Sequence, residues 1–274
     1  MDLGAEWAGA EVIWANEYNK DACETYRNYF KRKNLVEKSI EDLHLDNDLP
    51  KDTDVDLVLG GFPCQDFSMI WKRPGLQGTR GNLYTYFVDV INRIKPKAFI
   101  AENVRGILSA NNKLAISQIE RDFRDCGYII STNVYNFADY GTPQIRERVL
   151  IIGIEDSRGI EFTPPPITHA HAAHAIEKDL QPYVSSKEAL EGVELVKLNS
   201  EHQNIAEKTK EMLKLIPPGG NFTSIPEDHP LYVKGMISHV YRRLDPDQPS
   251  KTIIAGGGGG TWGYHYDEPR SLTN

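Results

Sequence analysis

Cysteine is scarce in this chain, with three in 274 residues: Cys23, Cys64 and Cys126. They form no pair at metal-ligand spacing and no disulfide framework, which excludes a cross-linked secreted scaffold and fits a reducing cytoplasm. Long hydrophobic runs are missing as well. No apolar stretch reaches the roughly 18 residues a membrane span needs, and no signal-peptide pattern is visible. Net positive charge is also absent, since 31 Lys and Arg against 39 Asp and Glu leave −8. That balance argues mildly against a nucleic-acid partner, whose phosphates call for a basic face. The distribution tempers it. No acid occurs over residues 67–88, where Lys72, Arg73 and Arg80 stand among Gly75, Gly78 and Gly81. None occurs over 231–244 either, which holds Lys234, Arg242 and Arg243. Two such stretches can line a cleft for a polyanion within an acidic protein, although each alone reads equally well as a solvated loop.

The most informative stretch is 54–68, Asp-Val-Asp-Leu-Val-Leu-Gly-Gly-Phe-Pro-Cys-Gln-Asp-Phe-Ser. Val55, Leu57, Val58 and Leu59 form a short apolar run stopped by two glycines and a proline. This is the pattern of a buried parallel strand feeding a tight turn. The turn presents Cys64 just past the carboxyl end of the strand, where open α/β sheets bind ligands. A lone cysteine is more often a small buried hydrophobe. Here Pro63 fixes the backbone before it, and Gly60 and Gly61 admit close approach of another group. A helix beginning near Asp66 would lower the thiol pKa from roughly 8.5 toward neutrality. The thiol is placed to react.

Elsewhere short apolar runs alternate with helical periodicity, which signals an α/β domain. Val12, Ile13 and Trp14 predict a strand ending at Asn16-Glu17, and 98–101 predicts another ending at Glu102-Asn103. Leu83, Phe87, Val90, Ile91 and Ile94 recur at helical spacing. Leu114, Ile119 and Phe123 mark a second helix closing near Gly127, and 149–152 reads as a late strand. Glu17, Cys64 and Glu102 thus fall at carboxyl ends of strands, where a doubly wound fold builds its site. In Gln144-Ile145-Arg146-Glu147-Arg148, positions two apart share a face of an extended chain, so Gln144, Arg146 and Arg148 point together. A charged edge strand that resists aggregation is the plainer reading of the same string. After Pro164-Pro165-Pro166 the chain becomes more polar, with one helix near 205–215, as for a separate small domain or a large insertion. His169-x-His171-x-x-His174 has no cysteine or carboxylate cluster beside it and reads as a polar loop or helix start, so no metal is expected. The glycine run 256–260 lacks the Lys-Ser/Thr of a phosphate loop.

Gly-Phe-Pro-Cys64-Gln-Asp-Phe-Ser closely resembles the nucleophile motif of the DNA cytosine-5 methyltransferases of bacterial restriction-modification systems. Glu102-Asn103-Val104 is similar to that family's Glu-Asn-Val motif, and Gln144-x-Arg146-x-Arg148 to its Gln-x-Arg-x-Arg motif. Arg242-Arg243-Leu244 through Asp247, Pro249 and Thr252-Ile253 resembles the motif that follows the variable target-recognition region. The match covers nearly the whole chain outside 165–230. It implies a Rossmann-like S-adenosylmethionine-dependent methyltransferase sheet of the α/β class with a smaller target-recognition domain. The catalytic domain would take 1–163, and 164–274 would hold the recognition domain and the start of the C-terminal motif. The implied cofactor is S-adenosylmethionine, with Glu17 on its ribose, Asp42 and Leu43 at its adenine, and Pro63 and Asn82 also in contact. The implied catalytic set is Cys64, Glu102, Arg146 and Arg148. Cys64 attacks carbon 6 of a flipped cytosine, and a protonated Glu102 donates to ring N3. Arg146 and Arg148 hold the pyrimidine oxygen and the thiolate region, with Arg148 the stronger candidate for the base. Gln65, Ser68, Lys72, Arg73, Arg80, Gln144, Arg242 and Arg243 would meet double-stranded DNA. A cognate restriction endonuclease is a candidate partner, and a monomer is expected.

The pattern departs from the family at both ends. A Phe-x-Gly-x-Gly strand and loop precede the segment that Met1-Asp2-Leu3-Gly4 resembles, and the last motif begins only at about Gly263. A chain truncated at both ends is therefore expected, lacking the first strand and the glycine loop. Three alternatives stay open at this point: an inert DNA-binding fragment, an RNA substrate, and a cysteine hydrolase. The hydrolase is the weakest, because no histidine lies at a strand end to serve Cys64 as base.

Overall fold

A computed structural model of the chain describes residues 1–31, 34–50, 55–63, 83–196, 204–235, 238, 240–253 and 263–272. The chain divides into two compact units, Met1–Val134 with Arg148–Pro164, and Tyr135–Glu147 with Pro165–Asn274. In order, the elements before residue 140 are α1 (Asp2–Trp7), β1 (Ala15–Glu17), α2 (Lys20–Phe30), β2 (Leu35–Glu37), the one-turn α3 (Leu45–Asp48), β3 (Leu57–Gly61), α4 (Leu83–Ile94), β4 (Ala98–Val104), α5 (Leu114–Asp125) and β5 (Tyr128–Asn136). There follow β6 (Gln144–Ile145), β7 (Glu147–Glu155), β8 (His169–Ala170), α6 (Ala172–Ala175), β9 (Gln181–Pro182), α7 (Ser186–Leu190), α8 (Glu207–Leu215) and β10 (Ser250–Lys251).

The main sheet has the order β3-β4-β7-β5, with β3 parallel and β7 antiparallel to β4. A second, two-stranded sheet pairs β1 and β2 in parallel. The alternation of β4 decides what each residue does. Phe99, Ala101 and Asn103 are buried on one face, while Ile100 and Glu102 take the other and are less covered. The buried face meets α4 through Phe87 and Ile91 and α5 through Ile119 and Phe123, around Phe99. Phe99 and Phe123 lie 4.4 Å apart between ring centroids, and Phe87 stands edge-on to both. Such aromatic packing supplies both buried area and a fixed geometry.

Gly60 makes this packing possible. A Cβ there would sit 2.2 Å from the Phe87 ring, so only a residue without one lets α4 press onto β3. The segment 12–14 is not a strand. Val12 accepts a hydrogen bond from the Asn34 side chain at 2.8 Å, and Trp14 donates its indole N–H to Asp48 O at 2.7 Å. Side chains hold this segment in place of a ladder, and β1 begins only at Ala15.

The second unit has its own core of Met212, Leu213, Ile216, Phe222, Ile225 and Tyr264. Its β6 pairs in parallel with β10, Gln144 opposite Ser250. The Ser250 hydroxyl donates to Pro143 O and the Thr252 hydroxyl to Ile145 O, which fixes this short pairing.

Candidate active site

β3 and β4 are in register with Gly61 opposite Glu102, so the glycine pair and the carboxylate meet at the carboxyl end of two parallel strands. The nearest group to a Cβ built on Gly61 is the Glu102 carboxylate, at 3.5 Å. Glu102 accepts an ion-paired hydrogen bond of 2.7 Å from Nε of Arg148, with the two side chains 27% and 14% exposed. The pair follows from strand geometry. Val104 is opposite Arg148 in the antiparallel β4–β7 ladder, which makes Glu102 the diagonal neighbour of Arg148 on the same face. A carboxylate and a guanidinium therefore stand half-buried at the carboxyl end of β3 and β4.

The end of β3 is tied to β4 by Asn103, whose side-chain amide donates to Phe62 O at 2.9 Å and whose Oδ1 accepts from Val104 N at 2.9 Å. Pro63 follows at once, and the chain continues to Cys64. Cys64 itself lies outside the described residues, as do Gln65, Ser68, Lys72, Arg73, Arg80, Asn82, Trp71, the start of a helix near Asp66 and the glycine run 256–260.

At the end of β1, Oε1 of Glu17 accepts from the backbone N–H groups of Tyr18 and Asn19, each at 2.8 Å, and Asn19 in turn caps α2 through Ala22 N. The carboxylate is thereby fixed at a strand end. Asp42 closes a single 3₁₀ turn, and the next residue, Leu43, is buried.

Gln144 and Arg146 belong to the second unit and Arg148 to the first. The backbone of Arg146 is pinned by the turn before it: its N–H donates to Asn136 Oδ1 at 3.3 Å, and its C=O accepts from Phe137 N at 3.1 Å. Asn136 is itself held through Asp139, which accepts from the Asn136 amide at 3.2 Å and from the Tyr183 hydroxyl at 2.5 Å. Burial and the Asp139 carboxylate push the Tyr183 phenol up to about 12, so it donates throughout the neutral range. This network was not predicted from the sequence, since nothing local links residues 136, 139 and 183.

Arg242 donates from Nε to Ser238 O at 3.1 Å. Arg243 behaves differently from the DNA contact its motif suggests. Its guanidinium donates to Leu213 O at 3.1 Å and Ile216 O at 2.8 Å at the end of α8, and to the carbonyls of His265 and Tyr266. Burial lowers its pKa from the usual arginine value. These bonds commit the fork to the protein's own backbone. Of the three histidines, His171 caps α6 by accepting from Ala173 N, and His169 packs on Gly141, which needs its positive φ and its missing Cβ there.

Residues 1–274 match the family of C-5 cytosine-specific DNA methylases. The chain is 55% identical over 278 residues to the Type II methyltransferase M.NgoFVII of Neisseria gonorrhoeae, a match spanning all of this chain and 72% of that protein. It is 39% identical to the Type II methyltransferase M.BbvI of Brevibacillus brevis, across 96% of this chain and 70% of the relative. The chain belongs to the C-5 cytosine-specific DNA methylases.

As a DNA cytosine-5 methyltransferase of the bacterial restriction-modification kind, it carries the expected fold. A crystal structure titled a DNA modification methyltransferase encoded within an E. coli prophage superposes with a TM-score of 0.67 at 19% identity, covering 99% of this chain and 82% of that one. The S. pombe Dnmt2 methyltransferase gives a TM-score of 0.52 at 17% identity, covering 91% and 66%. Both likenesses concern the fold. Among the described residues, no helix of this methyltransferase is long and apolar enough to cross a membrane.

Proposed function

We propose that this methyltransferase works through a covalent adduct between Cys64 and a flipped cytosine in double-stranded DNA, with Glu102 and Arg148 holding the base. The observation that carries the reading is the Glu102–Arg148 pair at the carboxyl end of β4, beside Gly61 and the turn that leads through Pro63 to Cys64. Cytosine is not nucleophilic enough at carbon 5 to take a methyl group unaided. Addition of a thiolate to carbon 6 makes carbon 5 enamine-like, and donors around the ring stabilise the charge that develops there. A carboxylic acid at Glu102 donates to ring N3 while its other oxygen accepts from the exocyclic amine. A guanidinium at Arg148 donates to the pyrimidine oxygen.

In the resting chain these two groups bond to each other. The donor role needs the protonated carboxyl, so entry of the base exchanges the partner of Arg148 from Glu102 to the pyrimidine oxygen, and Glu102 takes up a proton.

S-adenosylmethionine fits the donor set at the β1 end. The fixed Glu17 carboxylate suits a ribose diol, and Asp42 with the buried Leu43 offers one polar and one apolar contact for an adenine. We assign Pro63 and Asn82 to the same ligand. When bound, it would supply an electrophilic methyl group to carbon 5 and leave as S-adenosylhomocysteine; loss of the carbon-5 proton to a base and elimination of the Cys64 thiolate from carbon 6 would then restore the aromatic ring and the free enzyme. Arg146 is kept in the catalytic set, at the thiolate region, and Gln144 and Arg242, with Gln65, Ser68, Lys72, Arg73 and Arg80, are assigned to DNA. The recognition domain lies in the second half of the chain, and a restriction endonuclease of the same target sequence is the expected companion.

The test is incubation of the purified chain with S-adenosylmethionine and methylation-free genomic DNA, followed by base-resolution mapping of 5-methylcytosine. Methylation in one short context is expected. Cys64→Ser abolishes it, and Glu102→Gln lowers the single-turnover rate by about 10²–10⁴. Methylation by Cys64→Ser at the wild-type rate would refute the covalent route.

A further inference from the structure

Asn103 sits where the β4 alternation calls for an apolar side chain. Phe99 and Ala101 occupy the same buried face, yet Asn103 is only 3% exposed. A buried amide is costly unless both ends are paired. Both are. Oδ1 accepts from Val104 N, a group that can only donate, so Nδ2 must be the end that faces Phe62 O, a group that can only accept. This fixes the amide orientation without ambiguity.

The acceptor matters because of where it lies. Phe62 O belongs to the peptide bond that enters Pro63, a residue with no N–H of its own to anchor the turn. The β3–β4 register that sets Gly61 opposite Glu102 brings Phe62 opposite Asn103, at the point where the ladder ends. The Phe62 ring is buried between Tyr84 and Phe87, with centroids 6.0 and 6.1 Å away. Phe62 is therefore held by its ring from one side and by its carbonyl from the other, two residues before the nucleophile.

We propose that Asn103 is a positioning residue for Cys64: its amide fixes the Phe62 carbonyl and so anchors the chain two residues before the thiol. The proposal rests on the reading of Cys64 as nucleophile. Asn103 touches neither base nor cofactor in this scheme. It links the strand that carries Glu102 to the turn that carries the thiol, so the two groups that must act on one cytosine share one anchor.

The test uses DNA containing 5-fluorocytosine at the target position, which traps the covalent adduct, in single-turnover reactions of the full chain with S-adenosylmethionine. Asn103→Ala removes the donor. Asn103→Asp keeps the shape but sets an oxygen against the Phe62 carbonyl. A misplacement of this kind is expected to slow adduct formation on the order of 10²-fold in both variants, with DNA dissociation constants within about twofold of wild type. Ile119→Val, on α5 in the core that Phe62 also joins, serves as a destabilised control that leaves the Asn103–Phe62 bond in place and should form adduct at the wild-type rate. Adduct formation within about threefold of wild type in Asn103→Asp overturns the proposal, as does a loss accounted for wholly by weaker DNA binding or by a fall of the same size in the control. Adduct formation by Cys64→Ser would instead overturn the underlying reading, and is recognised because it does not depend on Asn103.

Discussion

Replacing Gly60 by alanine tests whether the contact between β3 and α4 is as tight as the geometry says. The added methyl would stand 2.2 Å from Cε2 of Phe87 and 2.8 Å from Cδ2, whereas ordinary contacts begin near 3.4 Å. Ring or strand must therefore give way by about 1.2 Å, the difference between those two values. The ring has little room to do so. It is 6% exposed and wedged against Phe62, Phe99 and Phe123. Overpacking of this kind costs about 1–3 kcal/mol, and here the upper half of that range is expected. Phe87→Leu shortens the side chain and opens space at the same spot, so the two changes should not add. A double-mutant cycle by urea unfolding should give Gly60→Ala/Phe87→Leu a total loss smaller than the sum of the singles by about 1–2 kcal/mol. Single-turnover methylation should follow the same pattern, because Gly60 lies four residues before Cys64 on the strand that delivers it. Additive losses, or a cost for Gly60→Ala below about 0.5 kcal/mol, would show that the close approach of α4 is not what requires a glycine.

Two further outcomes concern the second unit. Arg243→Met removes four carbonyl partners at once and should destabilise that unit by about 2–4 kcal/mol, read as lost hydrogen-exchange protection over the last turn of α8, with Arg243→Lys intermediate. Unchanged protection together with weakened, salt-dependent DNA binding would return Arg243 to the DNA-contact assignment. His265 accepts from the N–H groups of Asp267 and Glu268 through Nδ1, at 3.1 Å each, and burial, followed by the nearby Arg270 charge, lowers its pKa. A depressed folded-state value means that the contribution of His265 is complete above about pH 6.5, the unfolded value, and is lost as pH falls through the folded one. Wild type should lose thermal stability between about pH 7 and 5, and His265→Asn, which keeps an acceptor but does not titrate, should lose less. Parallel curves for the two proteins would contradict this account.

The elements most legible in the sequence were those whose local pattern and tertiary environment agree. The spacing of Leu83, Phe87, Val90, Ile91 and Ile94 gives α4 because its apolar stripe is the stripe that packs on Phe99. The position of Glu102 at the carboxyl end of β4 was legible because the apolar run before it stops there, and its pairing with Arg148 was not, since that depends on the β4–β7 register. β5 was not anticipated: within Tyr128–Asn136 only Tyr128 and Tyr135 are buried, so the strand shows no sustained apolar run. Arg243 read as a cation for DNA because sequence shows charge but not the carbonyls around it, which come from residues 213, 216, 265 and 266. Asn103 is the instructive case. Its signal was present as a polar residue in the register of Phe99 and Ala101, yet the neighbouring carboxylate drew the functional assignment. Burying an amide at a core position lowers stability unless the amide is fully paired, and its partners here are the Phe62 carbonyl just past β3 and the Val104 N–H. The break in the β4 alternation is thus explained by a bond the sequence does not show, from the Asn103 amide to the backbone at the end of β3.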